Sequence, residues 1–254
     1  MSFVLTKITQ LLIRSYSLLT INILGHTERI RSNQELRDSY QNVNVYCALE
    51  VGFQFKVLHD SILNIEPRAV EIYRSQQGNR KDESSDVEGL IEDPLFHKCV
   101  RECLKENILH HIQIVRYFNL FQNVTSPILG VSIGVSMIFL ASLSLVLTKI
   151  QIFSFDAVKF TFFFFLELCF AFGYCFMGTS LTEASKQIPN ALYNCPWFKL
   201  LRNEEKKILL IFEMNTENSL VLKGNGLFVI DLQLFVQIAR TTYSIFNIFS
   251  SREK

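Results

Sequence analysis

The sequence predicts an all-α protein, a polytopic membrane helix bundle with about four spans plus cytosolic anchor helices. Apolar residues make up 49% of the 254 residues and are concentrated in blocks, whereas soluble folds distribute them at a period of 3.6 or 2. Residues 127–148, 158–181 and 226–249 form three such blocks, each long enough for the roughly 20-residue helix that crosses a bilayer. The alternative is a soluble core of long helices, but such long uncharged runs are rare in soluble proteins.

Charged residues seldom interrupt these blocks. The first block contains none, and the second contains only Lys159 and Glu167. A fourth apolar stretch, residues 3–24, is interrupted by Lys7 and Arg14 and therefore predicts a weaker span. In chain order the predicted segments are a span at 1–25, a cytosolic loop with amphipathic helices at 26–126, spans at 127–149 and 158–184, a cytosolic loop with an anchor helix at 185–224, and a last span at 226–250.

Basic residues predict which loops face the cytosol. Lys and Arg are frequent in 26–126 and in 185–224. The short loop between Lys149 and Lys159 contains neither Lys nor Arg. Because cytosolic loops carry the excess of Lys and Arg, the two basic regions are predicted to be cytosolic. Both termini are then extracellular, in a multi-pass protein of the plasma membrane that contacts membrane lipid.

Several function classes are excluded by what the chain contains. The net charge of +1 provides no field for nucleic acid, and we find no nucleophile–base set, phosphate loop or metal signature. We therefore predict neither an enzyme nor a cofactor. His97, Cys99, Cys103, His110 and His111 lack the spacing of a zinc site, and we interpret them as part of a helix with satisfied histidines, with no metal.

A helix is predicted to follow Pro94 and to continue into the next span. Its apolar stripe recurs at steps of four and three, which is typical of an amphipathic helix. The stripe consists of Val100, Leu104, Ile108, Ile112 and Val115.

The end of the third predicted span is distinctive. Its small residues allow close approach of a neighbouring helix, whereas Pro189 is expected to break or kink the helix and Trp197 suits an interfacial depth. The small residues are Gly173, Cys175, Gly178, Thr179 and Ser180.

The order of residues in this region and after it resembles the signature of insect odorant receptors. The first part of the signature comprises Tyr174, Cys175, Gly178, Leu181, Ser185, Ile188, Ala191, Tyr193 and Trp197. The second is the closing stretch "SLVLKGNGLFVIDLQLFVQIARTTYSIFNIF", and the third is the helix from Cys99 to Phe121 with His110, His111 and Phe118. The resemblance extends from about Pro94 to Phe249, and Glu217-Asn218-Ser219 stands where the family usually has Gln-x-Pro.

The resemblance implies a subunit of a ligand-gated cation channel in olfactory signal transduction. Such a receptor assembles with a common odorant receptor co-receptor into a hetero-tetramer, and its seventh span is divided into a cytosolic anchor half and a pore-lining half. Here residues 204–222 are expected to form the anchor helix, Gly224 and Gly226 to allow a break, and 227–249 to form the membrane half. Because family members are longer, the chain is expected to be a truncated receptor that begins in the fourth span.

The pore and gate are assigned by the match to the family's closing stretch. Ile248 is expected at the gate with Ile245 beside it, because a ring of apolar residues can close a pore by dewetting. Ser244 and Asn247 are expected to provide polar lining. Asp231 and Arg240 on the same helix are expected to face protein or water, as ionisable residues at membrane depth usually do.

The ligand is expected to be a small volatile hydrophobic molecule in an apolar pocket with few polar groups. The resemblance places that pocket in the outer half of the bundle, and the candidates are Phe163, Phe164 and Glu167 on the sixth span and Met137 and Ile138 on the fifth. Without the preceding spans, the chain alone is expected to bind odorant poorly. The alternatives are a gustatory-type chemoreceptor subunit, a non-sensing receptor fragment, or a small transporter subunit.

Overall fold

The computed structural model describes residues 30–76, 87–149 and 155–252, and nearly all of them are helical. The predicted span at 1–25 lies outside these residues. In chain order the elements are α1 Ile30–Leu63, α2 Ile65–Gln76, α3 Val87–Leu90, α4 Pro94–Lys149, α5 Phe155–Asn194, α6 Trp197–Leu200, α7 Asn203–Thr216, β1 Lys223–Gly224, β2 Phe228–Val229 and α8 Leu232–Arg252. The all-α class is confirmed.

Helices α4 and α5 contain the first two of the three apolar blocks, residues 127–148 and 158–181. The 56 residues of α4 span roughly 84 Å and the 40 residues of α5 roughly 60 Å, whereas a hydrocarbon core is about 30 Å thick. Within the described residues, these two helices are long and apolar enough to cross a membrane. The predicted continuation of the Pro94 helix into the next span is confirmed.

Pro127 and Pro189 both lie inside helices. Of the two expectations for Pro189, the break is not found, since α5 continues to Asn194, and the kink stays a prediction. A proline inside a helix removes one backbone donor, but the helix on either side of Pro189 is maintained here.

The chain divides into two compact units. The described part of unit 1 comprises 30–49, 119–149, 155–181 and 221–252, and that of unit 2 comprises 50–76, 87–118 and 182–220. Each unit buries its own apolar side chains, among them Leu129, Leu140, Cys175, Ile230 and Ile238 in unit 1 and Phe55, Leu58, Ile62, Phe96 and Leu104 in unit 2.

The buried face of α4 in unit 2 differs from the predicted stripe. Val100 and Leu104 are buried as expected, but Ile112 is 54% exposed, and Asn107 and His110 are buried. The apolar pattern was misleading because polar groups of other residues contact these two buried side chains. Asn107 Oδ1 accepts hydrogen bonds from Ser61 and Arg68.

A β-hairpin that the sequence did not predict precedes α8. Lys223 pairs with Val229 and Gly224 with Phe228, and the turn between them places Asn225 and Gly226 at positive φ. Gly226 accommodates a φ of 71° because it has no Cβ. The expected break at the glycines is therefore confirmed, and its form is a hairpin.

The helices on either side of the hairpin have different bounds from those predicted. The anchor helix was expected to continue to Leu222, but α7 ends at Thr216. The last helix begins at Leu232, because β2 occupies Phe228–Val229 and Asp231 caps the helix. The hairpin is held within unit 1 by the Asn225 N–H, which donates to the Ser126 carbonyl at 2.9 Å.

Candidate functional site

The last helix, α8, has one polar face and one apolar face. We call the first the α8 polar face, and its exposed members follow one another at steps of four and three along the helix: Gln233, Gln237, Arg240, Ser244 and Asn247. The opposite face buries Ile238 and Thr242. Since residues three and four apart share a helix face, the pattern separates a surface that packs within unit 1 from one that does not.

The start of α8 is fixed by local and by tertiary hydrogen bonds. Asp231 caps the helix, since its Oδ1 accepts from the Leu234 N–H at 2.8 Å as helix N-cap residues do. The Leu232 N–H donates to Thr179 Oγ1 of α5 at 2.9 Å. Asp231, considered from the sequence as an ionisable residue at membrane depth, thus has a structural partner in its own helix.

Close approach at Gly178 brings α5 against the segment before α8. A Cβ at Gly178 would lie 2.0 Å from the Ile230 carbonyl oxygen, so only glycine fits there. This agrees with the expectation that small residues in this part of α5 permit close approach. At Gly173, by contrast, a Cβ would meet nothing within 4 Å.

The predicted gate residues are distributed over both sides of α8. Ser244, Asn247 and Ile248 are exposed, with Ile248 at 54%, whereas Ile245 is half-buried. Three of the four residues therefore lie on or beside the α8 polar face. Their role in a gate stays a prediction.

The predicted ligand residues lie on α4 and α5 and differ in exposure. Met137, Ile138 and Phe163 are 37%, 71% and 41% exposed. Glu167 of α5 is half-buried and accepts a hydrogen bond from the Ser136 hydroxyl of α4, so the two long helices share a polar contact in unit 1. Phe164 lines a separate groove. The assignment of these residues to a ligand site also stays a prediction.

Unit 1 contains an apolar groove of about 260 Å³ between three helices, which we call the α4–α5–α8 groove. Its lining residues are Ser144 and Leu147 from α4, Phe164 and Leu168 from α5, and Ala239, Thr242, Tyr243 and Phe246 from α8. The groove was not found from the sequence because no short segment contributes more than half of its lining.

The outer surface of α7 in unit 2 is apolar. We call it the α7 outer face, and its members are all exposed by 43–62%: Ile208, Leu210, Ile211 and Met214. The inner face of the same helix buries Leu209 and Phe212. Helix α7 is therefore apolar on two sides, although its first turns carry Glu204, Glu205, Lys206 and Lys207.

A buried carboxylate anchors α7 to α4 within unit 2. The Glu205 side chain is 3% exposed, and its Oε1 accepts from Arg101 Nε at 3.0 Å and from Arg101 Nη2 at 2.5 Å. Its Oε2 accepts from the Arg202 N–H at 3.1 Å. Burial raises the pKa of Glu205, but the Arg101 guanidinium and backbone N–H groups lower it more, so the pKa lies below the ordinary 4.5.

The histidines considered as part of a metal cluster have other partners. His97 Nε2 contacts the Ile91 carbonyl at 2.7 Å, His110 contacts Gln54 at 2.9 Å, and His111 packs edge-on against Phe55 and Phe212. Across residues 30–76, 87–149 and 155–252, no group of three or more potential metal ligands is found.

Two features could have been recognised from the sequence. The spacing of Gln233, Gln237, Arg240 and Ser244 is itself helical, so it indicates the α8 polar face. Asp231 directly precedes that periodic segment, which is the usual N-cap signal. The α7 outer face and Arg101–Glu205 have no comparable signal, because they depend on which helices pack together.

Among solved structures, the chain is similar to the insect olfactory receptor OR5 from Machilis hrabei. With the structure solved in complex with eugenol, the TM-score is 0.49 at 13% identity, covering 90% of this chain and 72% of that receptor. With the structure described without eugenol, the TM-score is 0.46 at 14% identity, covering 96% and 76%.

Sequence comparison gives a curated relative and a family. Odorant receptor 2a of Drosophila melanogaster is 28% identical over 74 residues, which is 29% of this chain and only 18% of that receptor's length. The family model described as 7tm Odorant receptor matches residues 39–243, which is well over half of the chain. The chain therefore belongs to the 7tm odorant receptor family.

Proposed function

We propose that the chain is a subunit of an odorant-gated cation channel that acts in olfactory signal transduction at the plasma membrane. It assembles with an odorant receptor co-receptor into a hetero-tetramer, and α8 lines the ion path. The single observation that carries this proposal is the α8 polar face. Membership of the odorant receptor family favours this function over the gustatory-type alternative.

The physical argument starts from the length of α8 and the medium expected around it. Its 21 residues span roughly 32 Å, which matches a hydrocarbon core of about 30 Å. A charged residue such as Arg240, or amides such as Gln237 and Asn247, would be costly against lipid and therefore usually face protein or water. In unit 1 these side chains are exposed. Water in a shared pore is the medium that suits them.

The α7 outer face supports assembly. Four large apolar side chains exposed on a helix that is predicted to be cytosolic form the kind of patch that marks a protein–protein contact. In the proposed channel the same face from each subunit meets its neighbours around the central axis. The closed symmetry of most oligomers makes such repeated contacts common.

The ligand in this proposal is a small volatile hydrophobic molecule. The residues proposed to bind it are Phe163, Phe164, Glu167, Met137 and Ile138, together with segments outside the described residues. The Ser136–Glu167 hydrogen bond supplies a polar group among exposed apolar side chains. This combination suits a site that orients an apolar ligand with few polar contacts.

Cysteine accessibility in the assembled complex tests the pore assignment. The variants Ser244→Cys and Asn247→Cys are expressed with the co-receptor and treated with a charged, water-borne methanethiosulfonate, and the odorant-evoked current is recorded. We expect the reagent to reduce the current in both variants, because thiols on the α8 polar face meet water.

Two controls make the result decisive. Thr242→Cys places a thiol on the buried face of α8 and should stay unmodified. Native Cys169 is exposed within the apolar block of α5, so it should also stay unmodified if that surface faces lipid. Protection of both Ser244→Cys and Asn247→Cys, in a complex that still conducts, would contradict a pore-lining α8.

A further inference from the structure

The α4–α5–α8 groove is distinct from the ligand site predicted above, with which it shares only Phe164. We propose that this groove is a second binding site, selective for small uncharged hydrocarbons, on the pore-lining helix itself. None of the described residues that line it is charged, and five of the eight are purely apolar. The lining therefore resembles the apolar interior of typical small-molecule sites.

The preference for hydrocarbons over hydroxylated ligands follows from the hydrogen bonding and burial of the hydroxyl groups in the lining. Ser144 Oγ donates to the Ala141 carbonyl at 2.7 Å, and Thr242 Oγ1 donates to the Ile238 carbonyl at 2.9 Å. Both residues are almost fully buried, at 2% and 6% exposure, and thus contribute little polar surface to the groove. The third hydroxyl belongs to Tyr243, which is 65% exposed.

A ligand that buries its own hydroxyl in this groove would lose hydrogen bonds to water. In return the described residues of the lining offer only the nearly buried oxygens of Ser144 and Thr242 and the hydroxyl of Tyr243. Burying an unpaired polar group is unfavourable, so a hydrocarbon should bind better than its phenol with the same carbon skeleton. The difference should be about tenfold or more in affinity, the lower end of what an uncompensated hydroxyl costs in proteins.

The volume limits the size of the ligand. Cavities of roughly 150 Å³ lined by apolar residues bind benzene, and drug-sized ligands need roughly 300–1,000 Å³. A groove of about 260 Å³ lies between these limits and suits a substituted monocyclic hydrocarbon. A whole lipid acyl chain is closer in size to a drug-sized ligand and needs more volume than this groove has, so a dissolved small molecule is the proposed occupant.

The site would act on α8 directly. A ligand there contacts Ala239 and Phe246 of α8 as well as Leu147 of α4 and Leu168 of α5, so it would alter the packing that holds α8 in place. That consequence for gating rests on the proposed channel function. Binding itself does not, because it requires only the packing of unit 1.

Photolabelling of the purified receptor–co-receptor complex in lipid nanodiscs tests binding without any current. The probe is an alkyl diazirine, the labelled residues are mapped by mass spectrometry, and p-cymene and its phenol thymol are the competitors. We expect labelling of peptides that contain Leu147, Phe164 or Phe246, and displacement by p-cymene at about tenfold lower concentration than by thymol.

Two substitutions test the location. Ala239→Trp should fill the groove and abolish this labelling, whereas Val131→Trp, at a 65% exposed position of α4 outside the lining, should leave it unchanged. If Ala239→Trp does not assemble, Leu168→Ala provides the second test. It enlarges the groove and should improve displacement by 1,4-diisopropylbenzene relative to p-cymene.

Several outcomes would overturn the site. The first two are equal displacement of the probe by thymol and p-cymene, and labelling that persists in assembled Ala239→Trp. The third is no gain in displacement by 1,4-diisopropylbenzene in Leu168→Ala. The last is displacement of the probe by lipids of different acyl length but not by p-cymene. The last outcome would identify a lipid chain as the occupant. Failure of the cysteine-accessibility test with successful photolabelling would remove the pore function and leave this site in place.

Discussion

Helices α7 and α8 follow one another in the chain and expose opposite kinds of surface. In α7 the exposed side includes Ile211 and Met214, at 60% and 62% exposure, in a segment whose first turns are highly charged. In α8 the exposed side includes Gln237 and Arg240, in a segment of nearly uncharged sequence. On one face, each helix thus exposes the class of side chain that its expected surroundings, cytosol for α7 and lipid for α8, disfavour.

The difference shows that whether an exposed helix face is stable depends on the medium around it, water or lipid. Apolar side chains on a cytosolic helix are stabilised by burial against protein, whereas polar side chains on a membrane helix need water or a polar partner. A ring of subunits around an aqueous path provides both environments. The comparison therefore supports assembly from α7 and permeation from α8 by two independent physical arguments.

The largest expected effect concerns the α7 outer face. Ile211→Asp places a charge in the proposed subunit contact and forfeits about 2 kcal/mol of apolar burial in each subunit that carries it, so we expect loss of the assembled complex. Native gel migration and co-purification with the co-receptor measure this. Ile211→Leu keeps an apolar side chain and should assemble normally.

The same variant also tests whether the α7 outer face is a subunit contact. If Ile211→Asp assembles as well as Ile211→Leu, the α7 outer face is not a subunit contact. The α8 polar face would then remain as the only part of the comparison that supports a channel.

An intermediate effect is expected at Arg240 on the α8 polar face. Arg240→Gln removes a positive charge from the proposed cation path, and we expect single-channel cation conductance to rise about twofold, since a charge a few ångströms away in water contributes roughly 0.5–1 kcal/mol. Arg240→Lys keeps the charge and should conduct like the wild type. Equal conductance in all three proteins would place Arg240 outside the ion path.

The smallest effect is expected at the inner side of α7. Glu205→Gln weakens the contact with Arg101, which is 59% exposed, so we expect a loss of about 1 kcal/mol of unfolding free energy at neutral pH. Thermal unfolding of the detergent-solubilised chain measures this loss. The assembly face on the other side of α7 should be unaffected.

The pH dependence of that loss has a definite sign. Because the pKa of Glu205 is lowered from 4.5, its contribution is fully present above pH 4.5 and is lost as the pH falls through the folded-state pKa. The difference between the wild type and Glu205→Gln should therefore shrink below pH 4.5. A difference that stays constant down to strong acid would show that the Glu205 carboxylate does not stabilise unit 2.

Much of the helical architecture could be predicted from the sequence, and the failures have local causes. The uncharged block that begins at Pro127 indicated α4, because no other structure suits so long an apolar run. The sequence predicted a break or a kink at Pro189, and the break is absent because the surrounding helix continues to Asn194. The stripe through Ile112 was wrong because Asn107 and His110 have polar partners that no periodicity indicates.

The candidate sites were less predictable. The polar residues of α8 share a face by helical spacing alone, so Ser244 and Asn247 could be proposed together from the sequence. The groove could not be, since Leu147, Phe164 and Ala239 are far apart in the chain and meet only because their helices pack in unit 1.

The sequence by itself determined the helical class, the long apolar helices and the family. It could do so because a chain in lipid must satisfy its backbone hydrogen bonds within helices. A long run without charged residues therefore indicates a membrane helix. Only the tertiary structure decided the hairpin before α8, the contact at Gly178, the burial of Glu205 and the α4–α5–α8 groove. These depend on where distant segments approach one another, which side-chain packing determines and residue order along one helix does not.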